Sequence, residues 1–258
     1  AFGRMYIFDP LALYFKRFFL LAAAIVLVLT VDFSERLPSG ISEYYALSLF
    51  ALSGMMFAAS ANDFILVFVA LELITITFYI LTSFQRNRLT SLEAGIKYLI
   101  LGALATGFTV YGIALIFGTA NATSFSVIAA KAGDLAGNRL FLLGTLLVLV
   151  GVGFKIAAFP FQMWAPDVYQ GAPAPTAAFL AVGSKAAGMV LLLRILFGVI
   201  PQVTVNWTAL LMAVSGLTIL YGNLCAIPQR SLKRLLGYSS IAHAGYMLLG
   251  IIAVNQAG

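Results

Sequence analysis

Charged residues are scarce in this sequence. Only 9% of the 258 residues are Asp, Glu, Lys or Arg, whereas 62% are hydrophobic. A soluble domain carries roughly 25% charged and about 45–50% apolar residues. This composition excludes an ordinary soluble domain and indicates a membrane protein.

Cysteine and histidine are almost missing as well. Cys225 is the single cysteine and His243 the single histidine. One cysteine excludes a disulfide framework and a thiolate-held cluster within this chain, and one histidine excludes the paired-histidine metal motifs. A G-x-G at residues 151–153 lies inside an apolar run rather than after a strand, which does not fit nicotinamide binding. We therefore expect no metal and no cofactor in this chain.

The basic residues are scattered rather than clustered. Lys and Arg outnumber Asp and Glu by 15 to 9, but no basic stripe with interleaved aromatic residues is present, so we expect no nucleic-acid partner. Five Lys or Arg residues fall in the loops 83–91 and 228–234, which lie on the same side of the membrane when spans are counted. Positively charged loops predict that this side is cytoplasmic.

Long apolar runs dominate the chain, and most are long enough to cross a hydrocarbon core of ~30 Å as a helix. The sequence therefore predicts an all-α, polytopic transmembrane helix bundle that forms a single domain over residues 1–258 and contacts the lipid bilayer. Two connections, 119–138 and 160–173, are longer than the others. The eight predicted spans are 10–31, 43–60, 63–82, 92–118, 139–159, 174–197, 207–227 and 235–254.

Ionisable residues interrupt several of these spans. Glu72, Lys155, Lys185 and His243 lie near the middle of their spans, and Lys97 lies about a turn and a half into its helix. Each central charge costs about 2.5 to 3.5 kcal/mol on insertion scales, so such residues are candidates for function. Glu, Lys and His can exchange a proton when their surroundings change, which arginine cannot. We therefore expect proton movement, in which a close Glu72–Lys97 pair tunes protonation.

Three of these residues also have a structural interpretation. Lys97 follows Glu93 by four residues, the spacing of an ordinary pair along one helix face. Lys155 lies five residues before a proline, so its ammonium could reach the adjacent loop. His243 could be neutral and hydrogen-bonded across helices. Arg194 lies close to the end of its span, where we interpret it as an anchor.

The backbone around Lys155 is unfavourable for a straight helix. Gly151 and Gly153 precede it and Pro160 follows, so we predict a broken helix near 151–173. Broken backbone at membrane depth is tolerated where protein or a water-filled cavity satisfies its polar groups, and it marks ion or substrate sites in transporters.

Four stretches resemble a known family over nearly the whole chain. They are GVGFKIAAFPFQMWAPDVYQGAPAPTAAFLAVGSKAAGMVLLLRI (151–195), SLEAGIKYLI (91–100), ALELITITFYIL (70–81) and SLKRLLGYSSIAHAGYMLLG (231–250). They look like the antiporter-like subunit N family of the proton-pumping NADH:quinone oxidoreductase, respiratory complex I. Related subunits L and M and the sodium/proton antiporters usually carry histidine where this motif has Lys185.

The resemblance implies a fold of inverted repeats. Residues 43–197 would be a complete first five-helix repeat, and residues 207–258 the truncated start of the second. We therefore expect the sequence to be a fragment of a longer chain, because the exit half of the pathway would lie in the remainder.

The resemblance also implies roles. Glu72 would tune Lys97, Lys97 would exchange a proton with Lys155 through water, and Lys185 and His243 would pass it onward. The chain would be a translocase subunit of the bacterial inner membrane without redox chemistry of its own, beside other membrane subunits that include neighbouring antiporter-like ones. NADH, FMN, iron-sulfur clusters and quinone would belong to other subunits. The alternatives are a cation/proton antiporter subunit and a non-catalytic scaffold subunit.

Overall fold

The computed structural model describes residues 2–35 and 40–253. This part of the chain is built from helices and contains no strand, which confirms the predicted all-α class. Residues 254–258, where the last predicted span and the second repeat end, lie outside the described residues. The helices are α1 (Pro10–Ser34), α2 (Ile41–Ala59), α3 (Phe64–Thr82), α4 (Leu89–Ala120), α5 (Phe125–Leu135), α6 (Arg139–Ile156), α7 (Trp164–Gly171), α8 (Ala174–Phe179), α9 (Lys185–Gly198), α10 (Pro201–Ala226) and α11 (Leu232–Ala253).

Eight helices in the described residues are long and apolar enough to span a membrane, as the sequence predicts. Polar side chains outside the apolar runs fix several of the helix starts. Asp63 accepts a hydrogen bond from the Ile65 N–H at 2.8 Å, and Asn138 accepts one from the Leu140 N–H at 2.9 Å. Such caps satisfy amide groups that the first helical turn leaves without partners.

The sixth span is one helix with an irregular centre. α8 and α9 are joined without a break by a π-helical segment, Leu180–Ser184, and together they form the membrane-length helix Ala174–Gly198. This span is the most buried of the eight. It therefore forms the centre of the bundle, with α1, α2 and α6 packed around it.

The two longer connections contain short helices of their own. α5 lies within 119–138 and keeps Phe125 and Ile128 buried while Lys131 and Asp134 are exposed. α7 lies within 160–173, after the break that follows α6. Because both are amphipathic or short, the search for long apolar runs does not reveal them.

The helix break is at the predicted place but has a different local cause. α6 ends at Ile156, and Ala157 adopts the left-handed conformation with φ of 59°. The Ala158 N–H then bonds to the Gly153 carbonyl at 2.9 Å, which is the pattern of a Schellman cap. The expectation that Gly151 and Gly153 break the helix is wrong, because both residues lie inside α6.

These glycines and their neighbours serve helix packing instead. A Cβ added at Gly151 would lie 1.8 Å from Thr109 Oγ1 of α4, and one at Gly112 would lie 2.6 Å from the Gly144 carbonyl oxygen. Helices α4 and α6 therefore touch backbone to backbone, as small residues permit in membranes.

Aromatic residues hold α7 against the end of α6. Trp164 stacks on Tyr98 with ring centroids 4.7 Å apart, and its indole N–H donates to the Phe154 carbonyl at 2.9 Å. The same carbonyl also accepts a hydrogen bond from the Ala157 N–H at 3.0 Å, so the indole bond is a second one to the end of α6. The break is thus bridged by packed side chains.

Candidate functional site

Lys155 lies in the last turn of α6 and is only 2% exposed. Its ammonium has no hydrogen-bond partner within the described part of the chain, and it lies 5.9 Å from the centroid of the Phe78 ring. The stem of Lys155 packs on α9 at Gly188, where an added Cβ would lie 3.3 Å from Lys155 Cγ. The side chain therefore does not reach the loop, contrary to the alternative that placed its ammonium there.

Glu72 lies in the middle of α3 and is half-buried. Its Oε1 accepts a hydrogen bond from Thr106 Oγ1 of α4 at 2.7 Å. The carboxylate is close enough to Lys155 for the two charges to attract each other. Thr106 is a neighbour that the sequence analysis did not identify, since hydroxyl groups are frequent in spans and only tertiary contact distinguishes this one.

Lys97 is paired with other acids than Glu72. Its ammonium lies 2.7 Å from Glu93 Oε1 and 2.9 Å from Asp167 Oδ2, and its side chain is 45% exposed. The expected contact between Glu72 and Lys97 is therefore absent from this structure, because the half-exposed ammonium points towards α7. The Glu93 contact is the helix-face pair predicted from the spacing of four residues.

Asp167 is a charged residue that the sequence analysis missed. It accepts hydrogen bonds from Lys97 and, through Oδ1, from Arg234 of α11 at 2.5 Å. Burial opposes its ionisation, but these two cations outweigh burial and hold the pKa of the Asp167 carboxyl below its usual range. Its position as the single acid in the broken stretch 160–173 is the sequence feature that could have identified it.

Lys185 begins α9, directly after the π-helical segment, and is 2% exposed. Its ammonium donates to the Ser240 carbonyl of α11 at 2.6 Å and lies 6.0 Å from the centroid of the Tyr169 ring. The Tyr169 hydroxyl in turn lies 2.9 Å from Ser240 Oγ. Burial raises the pKa of the Tyr169 phenol, which therefore remains protonated.

His243 is on the outer side of α11 and is exposed. Its Nδ1 lies 2.7 Å from the Ser239 carbonyl of its own helix, and among the described residues the alternative hydrogen bond across helices is not seen. The ring opens on a groove of about 420 Å³ that Tyr169 and Ser240 also line. His243 is therefore separate from the buried lysines, although it borders the residues that contact Lys185.

Arg194 lies near the end of its span, as the sequence predicts, but it is buried rather than exposed. It is 8% exposed, and its guanidinium bonds to both Asp9 oxygens at 2.8 and 3.1 Å. Its Nε also donates to the Ala59 carbonyl at 2.8 Å. The position near the end of a helix suggested exposure, but α1 and α2 cover it.

Three ionisable residues are therefore brought together in the centre of the bundle. Glu72 and Lys155 attract each other across α3 and α6, and Lys155 packs at Gly188, one turn along α9 from Lys185. Lys97 lies at the edge of this group, held by α7. Such an array of exchangeable groups on separate helices can pass protons when water connects them.

Comparison with known proteins supports this description of the fold. Residues 61–258 match the family described as NADH:quinone oxidoreductase/Mrp antiporter, TM. The chain is 44% identical over 253 residues to NADH-quinone oxidoreductase subunit N of Moorella thermoacetica, covering 98% of this chain and 53% of that protein. It is 46% identical over 262 residues to subunit N 2 of Roseiflexus castenholzii, covering 100% of this chain and 53% of that protein. The chain thus spans about half the length of the curated relatives it matches.

Solved structures with the same fold come from respiratory and antiporter complexes. Respiratory complex I from Thermus thermophilus contains a chain that is 39% identical, with a TM-score of 0.80, over 97% of this chain and 53% of that chain. The Mrp complex from Dietzia sp. DQ12-45-1b contains one that is 22% identical, with a TM-score of 0.81, over 96% of this chain and 46% of that chain. The latter likeness concerns the fold alone.

The spans, the family match and the bacterial relatives together identify a multi-pass integral protein of the bacterial inner membrane. The described residues contain eight apolar helices that carry a half-buried glutamate and buried lysines. Together with the family match over residues 61–258, they lead to one conclusion: the chain belongs to the NADH:quinone oxidoreductase/Mrp antiporter transmembrane family.

Proposed function

We propose that this chain is part of a proton-translocating membrane subunit of NADH:quinone oxidoreductase. Relatives named subunit N match 98–100% of its length at 40–46% identity. In this proposal Glu72, Lys155 and Lys185 form the buried relay, Lys97 delivers protons to it and His243 receives them beyond Lys185. Residues 43–197 form the first five-helix repeat, and residues from 207 onward begin the second.

The observation that carries the proposal is the state of Lys155. A lysine that only stabilised the bundle would pair its ammonium with a carboxylate or carbonyl, as Arg194 does with Asp9. The Lys155 ammonium is buried without such a partner in the described chain and lies beside the helix break. An unpaired buried amine is costly, and buried ionisable groups of this kind mark proton pathways.

The redox reaction belongs to other subunits in this proposal. The chain would work as the translocase part of the enzyme, beside neighbouring membrane subunits of the same complex, while NADH, FMN, iron-sulfur clusters and quinone are bound elsewhere. Proton movement would be driven by quinone reduction outside the chain.

Replacement of Lys155 in the intact complex tests the proposal. We expect Lys155→Ala to reduce quinone-coupled proton pumping to about a tenth or less, because a proton-transfer group contributes at least that much. Pumping is measured in proteoliposomes with a pH-sensitive dye, and assembly by native electrophoresis. Lys131→Ala, at an exposed lysine of α5, is the matched control.

Other outcomes would favour the alternative functions. Unchanged pumping by Lys155→Ala would overturn the relay assignment. Sodium-dependent transport without a redox partner would favour an antiporter subunit. If exchanging the two charges of a buried pair restores assembly lost in the single variants, and pumping is unaffected throughout, the chain is a non-catalytic scaffold subunit.

A further inference from the structure

Helix α7, which belongs to the first predicted repeat, is held between α4 of that repeat and α11 of the second. On one side, a Cβ added at Gly171 would lie 2.4 Å from the Thr90 carbonyl oxygen of α4. On the other side, a Cβ added at Gly237 of α11 would lie 3.1 Å from Pro166 Cα. Glycine at both contacts lets the backbone of α7 approach each neighbour closely. A small shift of α7 therefore changes its contacts with both α4 and α11.

The two oxygens of Asp167 are divided between these neighbours. Oδ2 accepts from Lys97 of α4 at 2.9 Å, and Oδ1 accepts from Arg234 of α11 at 2.5 Å. Arg234 also donates to Gln170 Oε1 at 3.1 Å, and Lys97 also contacts Glu93 at 2.7 Å. Within residues 2–35 and 40–253, Asp167 is therefore the acid that links a cation of α4 to a cation of α11.

The charges around Lys97 come from each element that borders it. α4 contributes Glu93, α7 contributes Asp167 and α11 contributes Arg234, and they line a polar cavity of about 160 Å³. The pKa of Asp167 is lowered because hydrogen bonds from Lys97 and Arg234 outweigh the cost of burial. The carboxylate thus stays ionised at neutral pH and always presents a negative charge to Lys97.

We propose that Asp167 is a positioning residue for Lys97: its carboxylate, carried by α7 and shared with Arg234, sets how firmly the Lys97 ammonium keeps its proton. Only residues 157–163 separate α7 from the end of α6 that carries Lys155, so movement of the broken helix changes the distance from Asp167 to Lys97. Proton delivery by Lys97 is thereby tied to the state of the helix break. This inference rests on the proposed function, in which Lys97 feeds the buried relay.

The test is the pH dependence of proton pumping by the intact complex carrying Asp167→Asn. The Lys97 ammonium loses one of its two carboxylate partners, so we expect the alkaline limb of the profile to move to lower pH. In that limb the pumping rate should fall about two- to fivefold, the range expected for a half-exposed ion pair. Asp134→Asn, at an exposed aspartate of α5, is the matched control and should leave the profile in place.

A second variant moves the profile the other way. Arg234→Gln frees Asp167 from its competing cation, so the alkaline limb should move to higher pH. A role confined to holding α7 and α11 together would lower the rate at every pH without such opposite shifts. Arg234→Gln therefore decides the question if Asp167→Asn fails to assemble.

A third experiment compares the Asp167→Asn substitution in the presence and absence of Lys97, using a Lys97→Met background. Because Asp167 acts through Lys97, adding Asp167→Asn to Lys97→Met should cause no further loss. The proposal is overturned if Asp167→Asn lowers the pumping rate further in the Lys97→Met background. It is also overturned if the pH profile of pumping by Asp167→Asn coincides with that of the unaltered complex. If Lys155→Ala abolishes pumping while these profiles coincide, the proposed function stands and only this inference fails.

Discussion

At the scale of single residues, Arg194 and Lys155 illustrate two treatments of a buried cation. Arginine stays protonated in proteins, so it needs a permanent counter-charge, and Arg194 has one in Asp9, together with the Ala59 carbonyl. Lysine can give up its proton, and Lys155 is left without a hydrogen-bond partner in the described chain. The chemistry of each side chain thus matches its surroundings.

Glu72 provides a residue-scale prediction. Glu72→Gln keeps a carbonyl oxygen that can accept the Thr106 hydrogen bond, but it removes the charge that attracts Lys155. We expect coupled pumping to fall about tenfold or more while the complex assembles normally. Proton uptake by proteoliposomes is the measurement. Glu43→Gln, at an exposed glutamate in the first turn of α2, is the control, and equal pumping by both variants would contradict the role of Glu72.

At the scale of secondary structure, the order of the spans was predictable and the use of their glycines was not. Length and apolar composition locate a span without reference to its neighbours, so the eight spans were predicted within a few residues. Whether a glycine breaks a helix or lets another helix approach depends on what lies beside it. Gly151 was interpreted as a helix breaker. It instead lets α4 approach α6, because Thr109 occupies the space where a side chain at position 151 would lie.

The contact between α4 and α6 gives the prediction at this scale. Gly144→Val forces a side chain into the backbone of α4, where an added Cβ already lies 2.8 Å from the Gly112 carbonyl oxygen. We expect a loss of about 1–3 kcal/mol of stability, read as a lower thermal unfolding temperature of the purified protein in detergent. Gly107→Val, at an α4 position with no atom within 4 Å of an added Cβ, should change that temperature little. Equal effects would contradict close packing as the cause.

At the scale of the whole molecule, contacts between residues far apart in sequence were beyond prediction. The Lys97–Asp167 pair joins positions 70 residues apart, and the Arg194–Asp9 pair joins positions 185 apart. No local pattern selects such partners, because the fold of the entire bundle brings them together. The sequence could therefore indicate which side chains are candidates for chemistry, whereas their partners required the structure.

The Asp9–Arg194 pair gives the prediction at this scale. Burial opposes ionisation of Asp9, but hydrogen bonds from Arg194 and from the Ala12 N–H outweigh it and lower the pKa of Asp9. A carboxylate with a lowered pKa stabilises the folded state fully above its ordinary pKa, and this contribution is lost as the pH falls through the folded value. Asp9→Asn should therefore destabilise the bundle by about 2 kcal/mol or more at neutral pH, since it leaves a buried guanidinium without its counter-charge.

Thermal unfolding at a series of pH values checks this expectation. The difference in unfolding temperature between the unaltered protein and Asp9→Asn should be constant near neutral pH and shrink in acid, below the ordinary pKa of aspartate. Asp32→Asn, at an exposed position of α1, should follow the unaltered protein throughout. A difference that does not change with pH would contradict the assigned ion pair.

The π-helical segment Leu180–Ser184 changes the direction in which the side chains after it point from the sixth span. A π turn takes up one more residue than an α turn, so each residue after it is rotated by about 100° relative to an uninterrupted helix. Lys185 is the first residue after this change of phase. The residues before and after the segment therefore face different neighbouring helices. The rotation turns the Lys185 ammonium towards the Ser240 carbonyl on α11.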